Sequence, residues 1–205
     1  MIRGAVLGSP IEHSLSPDLH RAAFASLQID GSYERIEVGA GQLKEFITKR
    51  GSEFDYLSLT MPLKEEVLQL GFATSELAFK SQSANTLVKR DGSWSATSTD
   101  GTGFLQALAH LEFTDFSSVL ILGAGGTARA IAASLDGIAG SITVLGRTST
   151  REESFERIVS QSKFSYVIWS NALSLEPFSL VVNTTPAGAA DLLAEGIDGD
   201  ISCLL

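Results

Sequence analysis

Cysteine, histidine and long apolar runs are what this sequence has least of. A lone cysteine, Cys203, in 205 residues excludes an internal disulfide. His13, His20 and His110 are scattered, and no Cys/His group has metal-ligand spacing, so no metal is expected. A reduced, cytoplasmic setting follows from this cysteine usage. No apolar run approaches the roughly 18 residues that span a bilayer, and the opening Met1-Ile2-Arg3-Gly4-Ala5-Val6-Leu7-Gly8 is interrupted too soon for a secretion signal. Positive charge is short as well, with 15 Lys+Arg against 24 Asp+Glu and a net charge of -9. Such a surface repels polyphosphate, which argues against nucleic acid or an anionic membrane as partner; any phosphate must be gripped locally. The glycines spaced for a G-x-S-x-G elbow, Gly4 and Gly8, flank Val6 rather than serine, and no catalytic triad is visible.

What is present suits a packed core, with 44% hydrophobic and 19% charged residues over a length beyond one average domain. Short apolar runs alternate with helical patterns, the signal of βα units around a mostly parallel sheet, so the expected class is α/β. The pattern predicts strands over 2–7, 33–38, 56–59 and 84–88, with helices over 17–27, 42–49 and 62–68 between them. Asp91-Gly92 between apolar runs at 86–89 and 94–97 predicts a β-hairpin, and a helix over 102–111 follows. A second series then runs through strand 119–122, helix 127–135, strand 142–145, helix 152–160 and strands 166–168 and 180–183. Two βα domains are therefore expected, 1–100 and 101–205, with an interdomain cleft.

The strongest motif is Gly123-Ala124-Gly125-Gly126-Thr127-Ala128, which follows an apolar strand and opens a helix as a dinucleotide-binding turn does. Gly123 permits the tight turn, Gly125 lets backbone approach a pyrophosphate, and Ala128 keeps helix close to sheet. The next strand ends in Leu145-Gly146-Arg147-Thr148-Ser149-Thr150-Arg151, with no acid before Glu152. An acid there would bond a ribose 2′-OH, whereas Arg147 and Arg151 suit a 2′-phosphate, so the cofactor expected is NADP.

In the first half, Ser14-Leu15-Ser16-Pro17-Asp18 precedes a helix with Leu19, Ala22, Ala23 and Leu27 at helical spacing. Pro17 suits the first helical position, which makes Ser16 the expected N-cap and leaves Ser14 without a structural task. The two hydroxyls also suit a carboxylate ligand at a helix N-terminus. Thr60-Met61-Pro62-Leu63-Lys64 repeats the pattern, and places Lys64 where a helix dipole disfavours a cation and readies it for proton transfer; Glu65 and Glu66 would offset that field. Asp100 is either an N-cap or a carboxylate facing the cleft, and Asn85 either bonds a substrate hydroxyl or fixes a turn.

Taken in order, these segments resemble the shikimate dehydrogenase family, from Gly8-Ser9-Pro10-Ile11-Glu12-His13-Ser14-Leu15-Ser16-Pro17 to Asn183-Thr184-Thr185-Pro186-Ala187-Gly188. The resemblance implies that Ser14 and Ser16 hold a substrate carboxylate, that Thr60 and Asn85 line the substrate ring, and that Lys64 and Asp100 are the catalytic pair. It implies a cofactor loop of Gly123, Gly125, Gly126, Thr127 and Ala128, a 2′-phosphate site of Arg147, Thr148 and Arg151, and a later cofactor loop of Asn183, Thr184 and Thr185. The implied activity is reversible NADPH-dependent reduction of 3-dehydroshikimate to shikimate in aromatic amino-acid biosynthesis, by a monomer or homodimer. An NAD-using quinate/shikimate enzyme and a non-catalytic binding relative are the alternatives. Ser58, Ser98 and Gly146 each stand where the family usually has Asn, shortening a polar side chain. Family members also run some tens of residues beyond 205, so a shortened, poorly active chain is expected, ending in an incipient strand over 201–205.

Overall fold

A computed structural model describes residues 1–169, 175 and 177–191; the strand expected over 201–205, with Cys203, lies outside the described residues. The chain divides into two compact units, Met1–Thr99 and Asp100–Leu205.

The amino-terminal unit runs β1 (Ile2–Gly8), α1 (Ser16–Ser26), β2 (Gly31–Glu37), α2 (Leu43–Arg50), β3 (Tyr56–Leu59), α3 (Leu63–Glu66), β4 (Ala73–Thr74), α4 (Glu76–Ser81), β5 (Thr86–Arg90) and β6 (Ser93–Thr97). Its sheet order is β2-β1-β3-β5-β6-β4. β1 is parallel to β2 and β3, while β5 is antiparallel to both β3 and β6. The β5–β6 hairpin turns through Asp91 and Gly92 at φ 49° and 78°, the two positive values that a tight type I′ turn needs. The short β4 and α4 have no counterpart in the sequence reading. Ser75 starts α4 by accepting the Ala78 N–H at 3.3 Å, a local cap in a stretch too short to show periodicity.

The apolar stripe at helical spacing on α1 is not the one that packs. Leu19 and Leu27 are 69% and 67% exposed, and Pro17, His20 and Phe24 turn inward instead. Positions 17, 20 and 24 satisfy the helical period equally well, and the sheet offers them aromatic partners. His20 stacks on Tyr33 at 3.9 Å and 3°, and Phe24 closes over Gly31, where a Cβ would come within 2.8 Å of the ring. α3 is also shorter than the expected 62–68: one α turn gives way to a 3-10 turn, Val67–Leu70, which ends at Gly71 with φ 74°.

The carboxy-terminal unit contains α5 (Asp100–His110), β7 (Val119–Leu122), α6 (Gly126–Leu135), β8 (Ser141–Gly146), α7 (Glu152–Ile158), β9 (Lys163–Ile168) and β10 (Leu180–Asn183). Its strands are parallel, in the order β10-β7-β8-β9. β7 is buried along its whole length, as a central parallel strand covered on both faces must be. α5 crosses α6 at close range through Gly101, where a Cβ would stand 2.5 Å from the Ala130 carbonyl oxygen. α7 stops short of the expected 160 because Asp136 captures the next backbone donors: its Oδ1 accepts from Ser160, Gln161 and Ser162 N–H at 3.1, 2.8 and 3.0 Å.

Candidate functional site

Strand register brings together the chain ends that carry the expected substrate residues of the amino-terminal unit. Leu7 of β1 pairs with Leu59 of β3, so the loops after both strands leave the sheet side by side. The fit is tight, since a Cβ on Gly8 would lie 2.3 Å from Thr60 Cγ2 and 2.9 Å from the Met61 carbonyl oxygen. Because β5 is antiparallel to β3, the residue preceding β5 joins the same end, and Leu59 N–H donates to the Asn85 carbonyl at 2.7 Å. Ala84 N–H donates to the Lys64 carbonyl at 2.8 Å, which ties α3 to that end too. Ser14, Ser16, Thr60, Lys64 and Asn85 are all half-buried.

Ser14 and Ser16 exchange the tasks read from the sequence. α1 already begins at Ser16, its N-cap is Leu15, and no side chain caps it. Ser14 is the residue with a structural bond, its Oγ accepting the Ser16 N–H at 3.3 Å. The loop is held from β2 by Arg35, whose Nε donates to the Ser14 carbonyl at 2.7 Å and whose Nη2 lies 3.5 Å from Asp18 Oδ2. Asp18 in turn pairs with Arg21 at 2.5 Å. The sequence reading missed Arg35, and no local pattern could have found it, because the contact spans 21 residues.

Thr60 N–H donates to Leu7 O at 2.9 Å, and the Thr60 carbonyl accepts from Leu63 N–H at 2.8 Å. That turn contains the cis Met61–Pro62 bond, so Pro62 is the N-cap of α3 rather than its first helical residue. With α3 a single α turn, the dipole argument for Lys64 is weak, and its candidacy rests on placement. Glu66 accepts from Gly41 and Leu43 N–H at 2.8 and 3.0 Å, fixing the start of α2. The Asn85 amide is a staple for the chain just before Asp100. Its Oδ1 accepts Thr99 N–H at 2.9 Å and Thr86 Oγ1–H at 2.9 Å, while Nδ2 donates to Thr99 Oγ1 at 2.9 Å.

Ser58 and Ser98 differ in their surroundings. Ser58 Oγ accepts from Tyr33 Oη at 2.7 Å, whereas Ser98 is buried with no hydrogen-bond partner for its hydroxyl among the described residues. Beside Ser58, Tyr56 Oη lies 2.8 Å from His20 Nδ1. Burial, with Tyr33 nearby, pushes the Tyr56 phenol up to about 12, and burial holds His20 below its ordinary 6.5. Neutral His20 shares a hydrogen bond with the Tyr56 hydroxyl through Nδ1, its direction set by the imidazole tautomer.

In the carboxy-terminal unit the glycine-rich turn lies at a topological switch point, with β8 on one side of β7 and β10 on the other, the place where open parallel sheets bind ligands. Gly123 has φ 101°, and a Cβ there would meet Thr184 Oγ1 at 2.8 Å. Thr184 spans the two strand ends, its N–H and Oγ1–H donating to Leu122 O at 2.9 and 2.7 Å. Asn183 Oδ1 accepts Thr185 N–H and Oγ1–H at 3.0 and 2.7 Å. Among the described residues, Gly125 is the N-cap of the ten-residue α6 with no side-chain cap, and a Cβ on it would meet nothing within 4 Å. Open ground above uncapped N–H groups fits a pyrophosphate, and fully buried Ala128 lets α6 lie close to the sheet. Thr127 of that helix donates from Oγ1 to Asp100 Oδ2 at 3.3 Å; Asp100 is the first residue of α5. Arg147, Thr148 and Arg151 are exposed at the end of β8, so the donor set fits a phosphorylated dinucleotide. Among the described residues no His/Cys/Asp/Glu group could hold a metal ion, and no helix is long and apolar enough to cross a membrane.

Residues 6–87 match the model of the shikimate dehydrogenase substrate binding domain. The shikimate dehydrogenase (NADP(+)) of Staphylococcus aureus strain JH9 is 37% identical over 192 residues, covering 91% of this chain and 69% of that protein. Shikimate 5-dehydrogenase from Thermus thermophilus, solved in complex with NADP(H) and shikimate, superimposes with a TM-score of 0.79 at 32% identity, over 90% of this chain and 69% of that one. Ligand-free 5-ketofructose reductase of Gluconobacter sp. strain CHM43 has a TM-score of 0.78 at 26% identity, with the same two coverages. The fold thus carries more than one substrate, but sequence identity over nine-tenths of the chain decides its kinship: the chain belongs to the shikimate dehydrogenase family.

Proposed function

We propose that this chain is an NADP-dependent shikimate dehydrogenase, interconverting shikimate and 3-dehydroshikimate. The observation that supports the reading is that Ser14, Ser16, Thr60, Lys64 and Asn85 lie in loops at one end of the amino-terminal sheet, two of them, Thr60 and Asn85, next to paired strand ends. In this reading the Ser14 and Ser16 hydroxyls donate to the substrate carboxylate, and Thr60 and Asn85 line the ring. Lys64 and Asp100 serve the reacting C–O group. When ketone becomes alcohol, negative charge grows on the oxygen; the Lys64 ammonium stabilises it and donates the proton, and in the reverse direction takes it back. Asp100, whose Oδ2 accepts from Thr127 Oγ1–H, accepts a hydrogen bond from the substrate and orients it.

The glycine turn and the N-terminus of α6 would hold the pyrophosphate of NADP, and Arg147, Thr148 and Arg151 its 2′-phosphate. Bound there, the nicotinamide supplies or accepts the hydride. A reduced compartment such as the cytoplasm suits the chain's single cysteine.

The test is consumption of NADPH on adding 3-dehydroshikimate, with NADH in parallel. Turnover with a kcat/KM at least ~10-fold higher for NADPH is expected from charge-assisted bonds to the extra phosphate. No turnover would refute the enzymatic reading, and equal use of NADH would refute the cofactor assignment.

A further inference from the structure

β8 ends on a glycine that has no freedom to be anything else. A Cβ built on Gly146 would lie 1.8 Å from Tyr166 Oη and 2.4 Å from its Cζ. Tyr166 comes from β9, where it pairs with Val144, and so points to the same face as Gly146. Phe155 of α7 lies on the ring's flank, 6.1 Å away and tilted 49°, which blocks easy retreat. The Tyr166 hydroxyl donates to the Thr148 carbonyl at 2.8 Å. Burial pushes that phenol above its ordinary 10, with Glu152 adding to the effect, so it stays a donor. The bond fixes the peptide just beyond Arg147 in an exposed turn where Thr148 Oγ1 and Thr150 Oγ1 lie 2.8 Å apart. Without that bond the turn would have to be ordered by the ligand, at a cost in affinity.

We propose that Tyr166 is a positioning residue for cofactor choice: seated where a side chain at 146 would stand, its hydroxyl holds the Arg147-Thr148 turn in place to receive a ribose 2′-phosphate. The role rests on the NADP reading above and is exercised through the turn. Its cost falls only on ligands that use the turn, which separates it from general loosening of the unit.

The experiment is calorimetric titration of the full chain with adenosine 2′,5′-bisphosphate and with adenosine 5′-monophosphate, which differ only in the 2′-phosphate. The wild type should prefer the bisphosphate by at least ~10-fold. Tyr166→Phe keeps the ring and removes the donor; it should lower that preference ~3- to 10-fold, the usual weight of one neutral hydrogen bond, with monophosphate affinity unchanged. Gly146→Ala disturbs the same contact from the other strand and should act alike, while Gly146→Ala added to Tyr166→Ala should cost nothing more. Undiminished preference in Tyr166→Phe, or equal loss for both ligands, would overturn the role of Tyr166 and leave the cofactor assignment standing. A wild type without preference would overturn both.

Discussion

The two units build their candidate sites from different materials. The amino-terminal unit fixes its strand-end loops with side chains reaching across the sheet, Arg35 on Ser14 and Asn85 on Thr99, and ties β3 inside the sheet with Tyr33 on Ser58. The glycine turn of the carboxy-terminal unit relies on backbone, with Gly123 at positive φ against Thr184 and Gly125 open to solvent. A site for a compact acid with several hydroxyls needs converging side-chain donors, whereas a pyrophosphate can be met by main-chain N–H groups. Substitutions should accordingly act by conformation in the glycine turn and by lost hydrogen bonds in the amino-terminal loops.

The sharpest break of that contrast is Gly123→Ala. Its φ of 101° and the 2.8 Å approach to Thr184 should cost ~10- to 100-fold in NADP affinity, from backbone strain of a few kcal/mol, with shikimate affinity unchanged; calorimetry with each ligand reads both. Next, Ser16→Ala should raise KM for shikimate ~10-fold or more, the weight of one hydrogen bond to a charged group, at constant kcat. Its thermal midpoint should hold, because no side chain caps α1. Ser14→Ala should show a comparable KM effect and also lose stability, since Ser14 Oγ accepts the Ser16 N–H. A fall in stability alone for both variants would reduce the serine pair to architecture. Smaller still, Arg35→Gln should raise KM for shikimate ~3- to 10-fold through the loosened Ser14 loop, leaving kcat and NADP affinity as they are.

That contrast also explains what could be read from the sequence. The glycine turn and the Asp91-Gly92 hairpin are contiguous, so residue type and spacing expose them directly. Arg35, Tyr33 and Tyr166 act on residues 21, 25 and 18 positions away, and only strand register makes those pairs neighbours. The inward face of α1 was hidden for a related reason. Two stripes fit the helical period, and the choice fell to aromatic rings that meet His20, Tyr33 of β2 stacked on it and Tyr56 of β3 tilted against it.

The His20 cluster gives the mildest test. Its folded-state pKa lies below 6.5, so the unfolded chain binds that proton more readily. The stability from neutral His20 is complete above pH 6.5 and is lost as pH falls through the lowered folded value. Thermal midpoints across this window should drop in the wild type, and His20→Gln should remove this part of the slope; an unchanged slope would show that other groups govern it.

Lys64 carries the central claim, that the end of the amino-terminal sheet performs the proton chemistry. The most direct measurement is kcat for 3-dehydroshikimate reduction alongside shikimate Kd in Lys64→Ala. The account predicts a kcat lower by ~10²- to 10⁴-fold, the usual weight of a positioned acid–base group, with Kd changed by less than a few-fold. A kcat near wild type, or a loss confined to Kd, would contradict it.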